Sequence, residues 1–240
     1  MALTISQVGS NNSTASSATL AVTAVTAAVG DWLVVMVAAD NAGTSGAASL
    51  TSVTDSAGNS YTMTRSTYDP GAASAGATFG LFRARITAIL TGGTDTITAN
   101  FSPNTTAKAM VIYKVVPGAN EVVAFDRVGA GYTGTTKSIT AAAVTRGYTI
   151  FAGMAVETNA AVTADTDTTS GSWSSQYTAV GNTGVSGTSM RVCGQYKTVI
   201  ATGNQTFNTA TSGDGAVNWL TLYPAPAGLL GYWGMTGVTQ

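Results

Sequence analysis

The chain has 240 residues, a formal net charge of −1 and only 9% charged side chains, against 45% hydrophobic ones. So much apolar side chain with so little self-repulsion excludes a disordered chain, and ten Lys and Arg scattered singly exclude the basic stripe that a nucleic-acid backbone requires. The longest apolar run, Trp32 to Ala39, is much shorter than the roughly 20 residues of a membrane helix, so no membrane insertion is expected.

The opening Met1-Ala2-Leu3-Thr4-Ile5-Ser6 has neither a basic segment nor a continuous apolar one, so no secretory leader is expected. A single cysteine, Cys193, agrees with folding in a reducing cytoplasm. From there, short β-branched and aromatic runs separated by Gly, Asn, Asp, Ser and Pro predict strands near residues 3–8, 19–25, 32–39, 49–54, 60–66, 78–88, 94–101 and 108–116. This spacing is that of an antiparallel β-sandwich of the jelly-roll kind.

The second half then replays the first. Val8-Gly9 returns as Val128-Gly129, Leu20 as Ile139, Met36 as Met154, Tyr61-Thr62 as Tyr177-Thr178, Ile89 to Ile97 as Val199 to Phe207, and Pro117 as Pro224. The spacing between matches only shrinks along the chain, as expected if the second copy lost loop residues. The expected fold is therefore all-β, with two tandem, internally duplicated sandwich units at 1–119 and 120–226 and an apolar aromatic tail at 227–240. In this alignment Gly80, Phe82, Ala84 and Ile86 face inward with Met190, Val192, Gly194 and Tyr196, and Cys193 faces outward opposite Arg83. The strands 109–116 and 216–223, apolar on nearly both faces, read as central or covered by the other copy. In the tail, Leu229, Leu230, Tyr232, Trp233 and Met235 form either a strand that folds back or a docking peptide for a neighbouring subunit.

No histidine is present, which removes Ser-His-Asp and Cys-His catalysis and any His-ligated metal. One cysteine removes a thiolate metal cluster within the chain. Glu121 and Glu157 have no obvious carboxylate partner for glycoside hydrolysis and read as solvated surface groups. Asp55-Ser56-Ala57-Gly58-Asn59 and Asp165-Thr166-Asp167 set oxygen donors in loops as calcium requires, but turn chemistry accounts for them equally. No catalytic residue, cofactor or metal is expected.

Ser52-Val53-Thr54-Asp55-Ser56-Ala57-Gly58-Asn59-Ser60-Tyr61-Thr62, followed by Thr94-Asp95-Thr96-Ile97-Thr98-Ala99-Asn100-Phe101-Ser102, resembles the β-sandwich proteins of tailed-bacteriophage particles. The likeness is one of turn and strand pattern over most of residues 30–225. The second copy departs from it with Gly171-Ser172-Trp173-Ser174-Ser175, and Lys114-Val115-Val116-Pro117-Gly118 stands where an acidic strand end belongs. The resemblance implies a virion structural protein (head decoration, collar or minor tail component) assembled in the host cytoplasm. Its partners would be major capsid or tail proteins, and its state a homo-oligomer, with a trimer the specific expectation. The rival from another class is a carbohydrate-binding or adhesion module in which Trp173 and Tyr177 grip a host glycan.

Overall fold

The computed structural model describes residues 3–40, 50–69, 76–129, 131–133, 138–209 and 213–228. The first half contributes β1 (Thr4–Ser13), β2 (Ser17–Thr23), β3 (Thr26–Ala27), β4 (Trp32–Asp40), β5 (Leu50–Asp55), β6 (Thr62–Asp69), β7 (Ala77–Arg85), β8 (Leu90–Thr91), β9 (Thr96–Thr105) and β10 (Lys108–Val116). The second contributes β11 (Glu121–Val128), β12 (Tyr132–Thr133), β13 (Ser138–Val144), β14 (Thr149–Glu157), β15 (Tyr177–Gly181), β16 (Met190–Thr198), β17 (Gly203–Asn208) and β18 (Gly215–Pro226). Among the described residues the only helical turn is Ser186–Thr188.

Each half folds one large sheet against a smaller one, and all pairings are antiparallel. The large sheets have the orders β1-β10-β4-β7-β6 and β11-β18-β14-β16-β15, with β12 also on β18; the small ones are β2-β9-β5 and β13-β17. The two large orders correspond strand for strand. Backbone hydrogen bonds repeat the correspondence: Gly30 N–H donates to Ile86 O and Ile86 N–H to Asp31 O, as Gly147 N–H donates to Val199 O and Val199 N–H to Tyr148 O.

The two large sheets pack face to face, so the molecule is four sheets thick. β1 lies against β15, β4 against β14 and β16, β7 against β14 and β18, and β6 against β18. This reversed order is what an approximate two-fold axis between β4 and β14 produces. Period-two alternation then sends successive side chains into different cores. Trp32, Val34, Met36 and Ala38 point into the seam between halves with Phe151 and Ala155. Leu33, Val35, Val37 and Ala39 fill the first sandwich, and Ile150, Ala152, Met154 and Val156 the second. Strands buried on both faces read as continuous apolar runs, which is why 32–39, 109–116 and 216–223 did so.

The sheets approach closely where side chains are missing. A Cβ on Gly153 would lie 2.6 Å from Met36 Sδ, and so would one on Gly194. The thioether of Met36 thus rests on bare backbone of the facing sheet.

The expected face assignment of the 190–198 strand is corrected. Phe79 pairs with Ala38, and Val192 with Ala155, so Val192 matches Phe79 and Cys193 matches Gly80. Cys193 is fully buried in the second sandwich core. The connection before this strand is four residues shorter in the second half (Asp40 to Ala77 against Glu157 to Met190), and the three further residues that the expected alignment also removes there are instead absent after it, in the short turn between β16 and β17. Placing those three residues before the strand shifts the match by an odd number and inverts its faces. The Met36–Met154 match fails in the same way, since Met36 lies in the seam and Met154 in the sandwich core.

Candidate functional site

The seam carries a buried aromatic cluster, a cation–π stack and an acidic end. At its centre Tyr113 of β10 is fully buried, with its ring edge-on to Phe151 at 5.7 Å, Tyr177 at 5.8 Å and Tyr196 at 5.9 Å. Burial pushes its phenol far above the ordinary range, and its hydroxyl has no hydrogen-bond partner. Tyr177, expected to contact glycan, is half-buried in this cluster.

On one flank Arg83 of β7 lies over the Phe125 ring of β11, 4.0 Å from guanidinium carbon to centroid, and 5.6 Å from the Trp32 ring. This cation–π stack joins the halves, and burial lowers the pKa of the guanidinium. On the opposite flank the matching places hold Tyr196 and Ile5. Here a cleft of about 420 Å³ opens between Ile5, Ser6 and Gln7 of β1 and Ser174, Ser175 and Tyr196.

Where β4 and β14 end, the seam is acidic. Glu157 is 5% exposed; its Oε2 accepts a hydrogen bond from Gly76 N–H at 3.2 Å, and Oε1 has no partner. Burial, then the charge of Asp40, with smaller contributions from Asp214 and Asp69, raise its pKa to about 7 against the Gly76 hydrogen bond. The expectation of a solvated Glu157 is corrected: Glu157 N–H donates to Asp214 O as Asp40 N–H donates to Ala107 O. It therefore matches Asp40, at the buried end of its strand. Glu121 is half-buried at the start of β11.

Trp173 is 8% exposed, edge-on to Phe207 at 5.1 Å, with Lys197 Nζ 5.5 Å from its ring. The structure thus places Trp173, expected to contact glycan, as a packed core side chain with little of its surface exposed. In the first half Leu50 and Val53 of β5 close the sandwich. The second half has an irregular segment there, and Val162 and Trp173 drop into the equivalent core. Gln195 holds that segment, accepting from Asp165 N–H at 2.9 Å and donating to Asp165 O at 3.0 Å and Ser174 O at 2.8 Å.

The two oxygen-rich loops are closed by their own hydrogen bonds. Asp55 accepts from the N–H of Ala57 and Asn59, from Asn59 Nδ2 and from the Tyr61 hydroxyl, all within 3.0 Å. Asp165 accepts from Asp167 N–H and Asn208 N–H. Asp167 pairs with buried Lys197 at 2.8 Å, and that hydrogen bond holds its carboxyl down at about 2. Among the described residues no group of three His, Cys, Asp or Glu is placed to hold a metal ion, and no helix is long and apolar enough to cross a membrane. The candidate docking residues Leu229, Leu230, Tyr232, Trp233 and Met235 lie outside the described residues.

Comparison with protein families, with curated proteins and with solved structures finds no match to this chain.

Proposed function

We propose that this chain is a non-enzymatic structural component of a bacteriophage particle, a head-decoration, collar or minor tail protein, acting through protein–protein contacts. The observation that carries this reading is the character of the two outer faces. On one, the side chains between core positions are Thr19, Ala21, Thr23, Ser52, Thr54, Thr96, Thr98 and Asn100; on the other they are Ser138, Thr140, Ala142, Asn204, Thr206 and Asn208. Neither row itself carries a charge; Asp95 borders the first, and Asp165 and Asp167, the latter paired with Lys197, border the second. A free surface normally mixes charges of both signs, whereas packed interfaces lose them at their centres. The seam between the halves supports the same reading, since it joins two sandwiches into one thick block. The repeated strand order is what duplication of one sandwich unit leaves.

In this proposal the outer faces and the C-terminal segment contact capsid or tail subunits, each stable contact burying about 1,200–2,000 Å², and copies of the chain associate, with a trimer expected. Quantitative mass spectrometry of gradient-purified particles tests it: the protein is expected at a fixed stoichiometric ratio to the major capsid or tail protein. Its absence from particles, or presence only as a wash-removable trace, overturns the reading.

A further inference from the structure

We infer that the seam cleft between β1 and Ser174–Ser175 is a binding site for a neutral saccharide, an inference that does not depend on the virion reading. The cleft measures about 420 Å³ and is lined by Ile5, Ser6, Gln7, Ser174, Ser175 and Tyr196, a size that suits a one- or two-ring ligand. Nothing in this lining is ionisable at neutral pH, so phosphate, carboxylate and ammonium ligands find no counter-charge. What it offers is the Gln7 amide, the hydroxyls of Ser6 and Ser175, which can both donate and accept, and a half-buried tyrosine ring; the Ser174 hydroxyl is already engaged, donating to Ser175 O and accepting from Tyr196 N–H. A pyranose has that same pairing of hydroxyl edges with an apolar C–H face.

A difference between the halves separates this cleft from ordinary surface relief. The matching place across the approximate two-fold is filled: there Arg83 stacks on Phe125 at 4.0 Å, whereas Tyr196 and Ile5 leave the space open. The larger hollow of about 490 Å³ over Ala164–Thr168, Thr206 and Asn208 lacks an aromatic ring, and its carboxylates Asp165 and Asp167 are already committed.

The test is saturation-transfer NMR on the full chain with methyl glycosides of glucose, galactose, mannose and N-acetylglucosamine and their β-linked disaccharides. Sialic acid serves as the charged comparison. At least one neutral sugar is expected to bind with Kd on the order of 1 mM. Ser175→Trp, at an exposed position, fills the cleft and is expected to weaken binding at least about tenfold. Gln7→Ala is expected to weaken it severalfold, and both variants keep the parent Tm. Failure of every neutral sugar to bind, binding unchanged in Ser175→Trp, or preferential binding of sialic acid overturns the inference.

Discussion

Raising the pH from 5 to 8 is expected to destabilise this protein, and Glu157 is the cause. In the unfolded chain this carboxyl ionises near its ordinary 4.5, whereas in the fold it does so at about 7. Between those values the folded state holds a proton that the unfolded state has lost, so stability falls as pH rises through this window and is level above it. The full shift corresponds to about 3 kcal/mol, which solvent screening discounts to about 1–2 kcal/mol. For a chain of this length that is a drop in Tm of roughly 3–7 °C. The window is clean because the chain has no histidine. Asp167, held at about 2, gives the opposite dependence: its contribution is present above the ordinary carboxylate range and is lost only as pH falls through its folded value. Calorimetric or fluorescence melts at pH 5, 6, 7 and 8 measure the effect, and Glu157→Gln, which keeps the amide neutral throughout, is expected to flatten it. A flat or rising Tm in the parent, or an unchanged slope in Glu157→Gln, refutes the reasoning.

Three further outcomes follow from the seam and the sandwich cores. A double-mutant cycle on Arg83→Met and Phe125→Leu is expected to give a coupling of about 1 kcal/mol in urea denaturation; additive effects contradict the cation–π stack. Gly153→Ala sets a methyl 2.6 Å from Met36 Sδ and 2.7 Å from Cys193 O, and is expected to cost about 1–3 kcal/mol, with partial rescue by Met36→Ala. A variant as stable as the parent contradicts the close approach of the sheets. Burial pushes the Cys193 thiol up to about 12, so it is expected to resist iodoacetamide at pH 8 in the native protein and react fully in denaturant. Stoichiometric native labelling contradicts its core position.

The strands were legible because β-branched runs and turn residues mark them locally. The expected segments at 32–39 and 108–116 coincide with β4 and β10 to within a residue. Their burial on both faces was legible too, since Trp32 to Ala39 offers no polar side to solvent. Facing was harder wherever a gap had to be placed. Putting three of the missing residues on the wrong side of β16 exchanged the seam for the sandwich core and turned Cys193 outward. Trp173 misled for a related reason: its Gly/Ser neighbours describe a loop, and nothing local records that this loop replaces β5 and plugs the core. Glu157 carried no local sign of burial either. Its environment comes from Asp40, Asp69 and Asp214, which only the pairing of the two halves brings together. The cleft at Ser174–Ser175 likewise depends on β1 of the opposite half.

The unity of the two halves is tested most directly by scanning calorimetry combined with native-state hydrogen exchange. If Tyr113, Met36 and Phe151 share one core across the seam, the chain melts in a single transition with calorimetric and van 't Hoff enthalpies equal. The amides of β4, β10, β14 and β18 then exchange with the same opening free energy. Two resolved transitions, or central strands of one half exchanging well before those of the other, would contradict a shared core and leave two independent sandwiches on a linker.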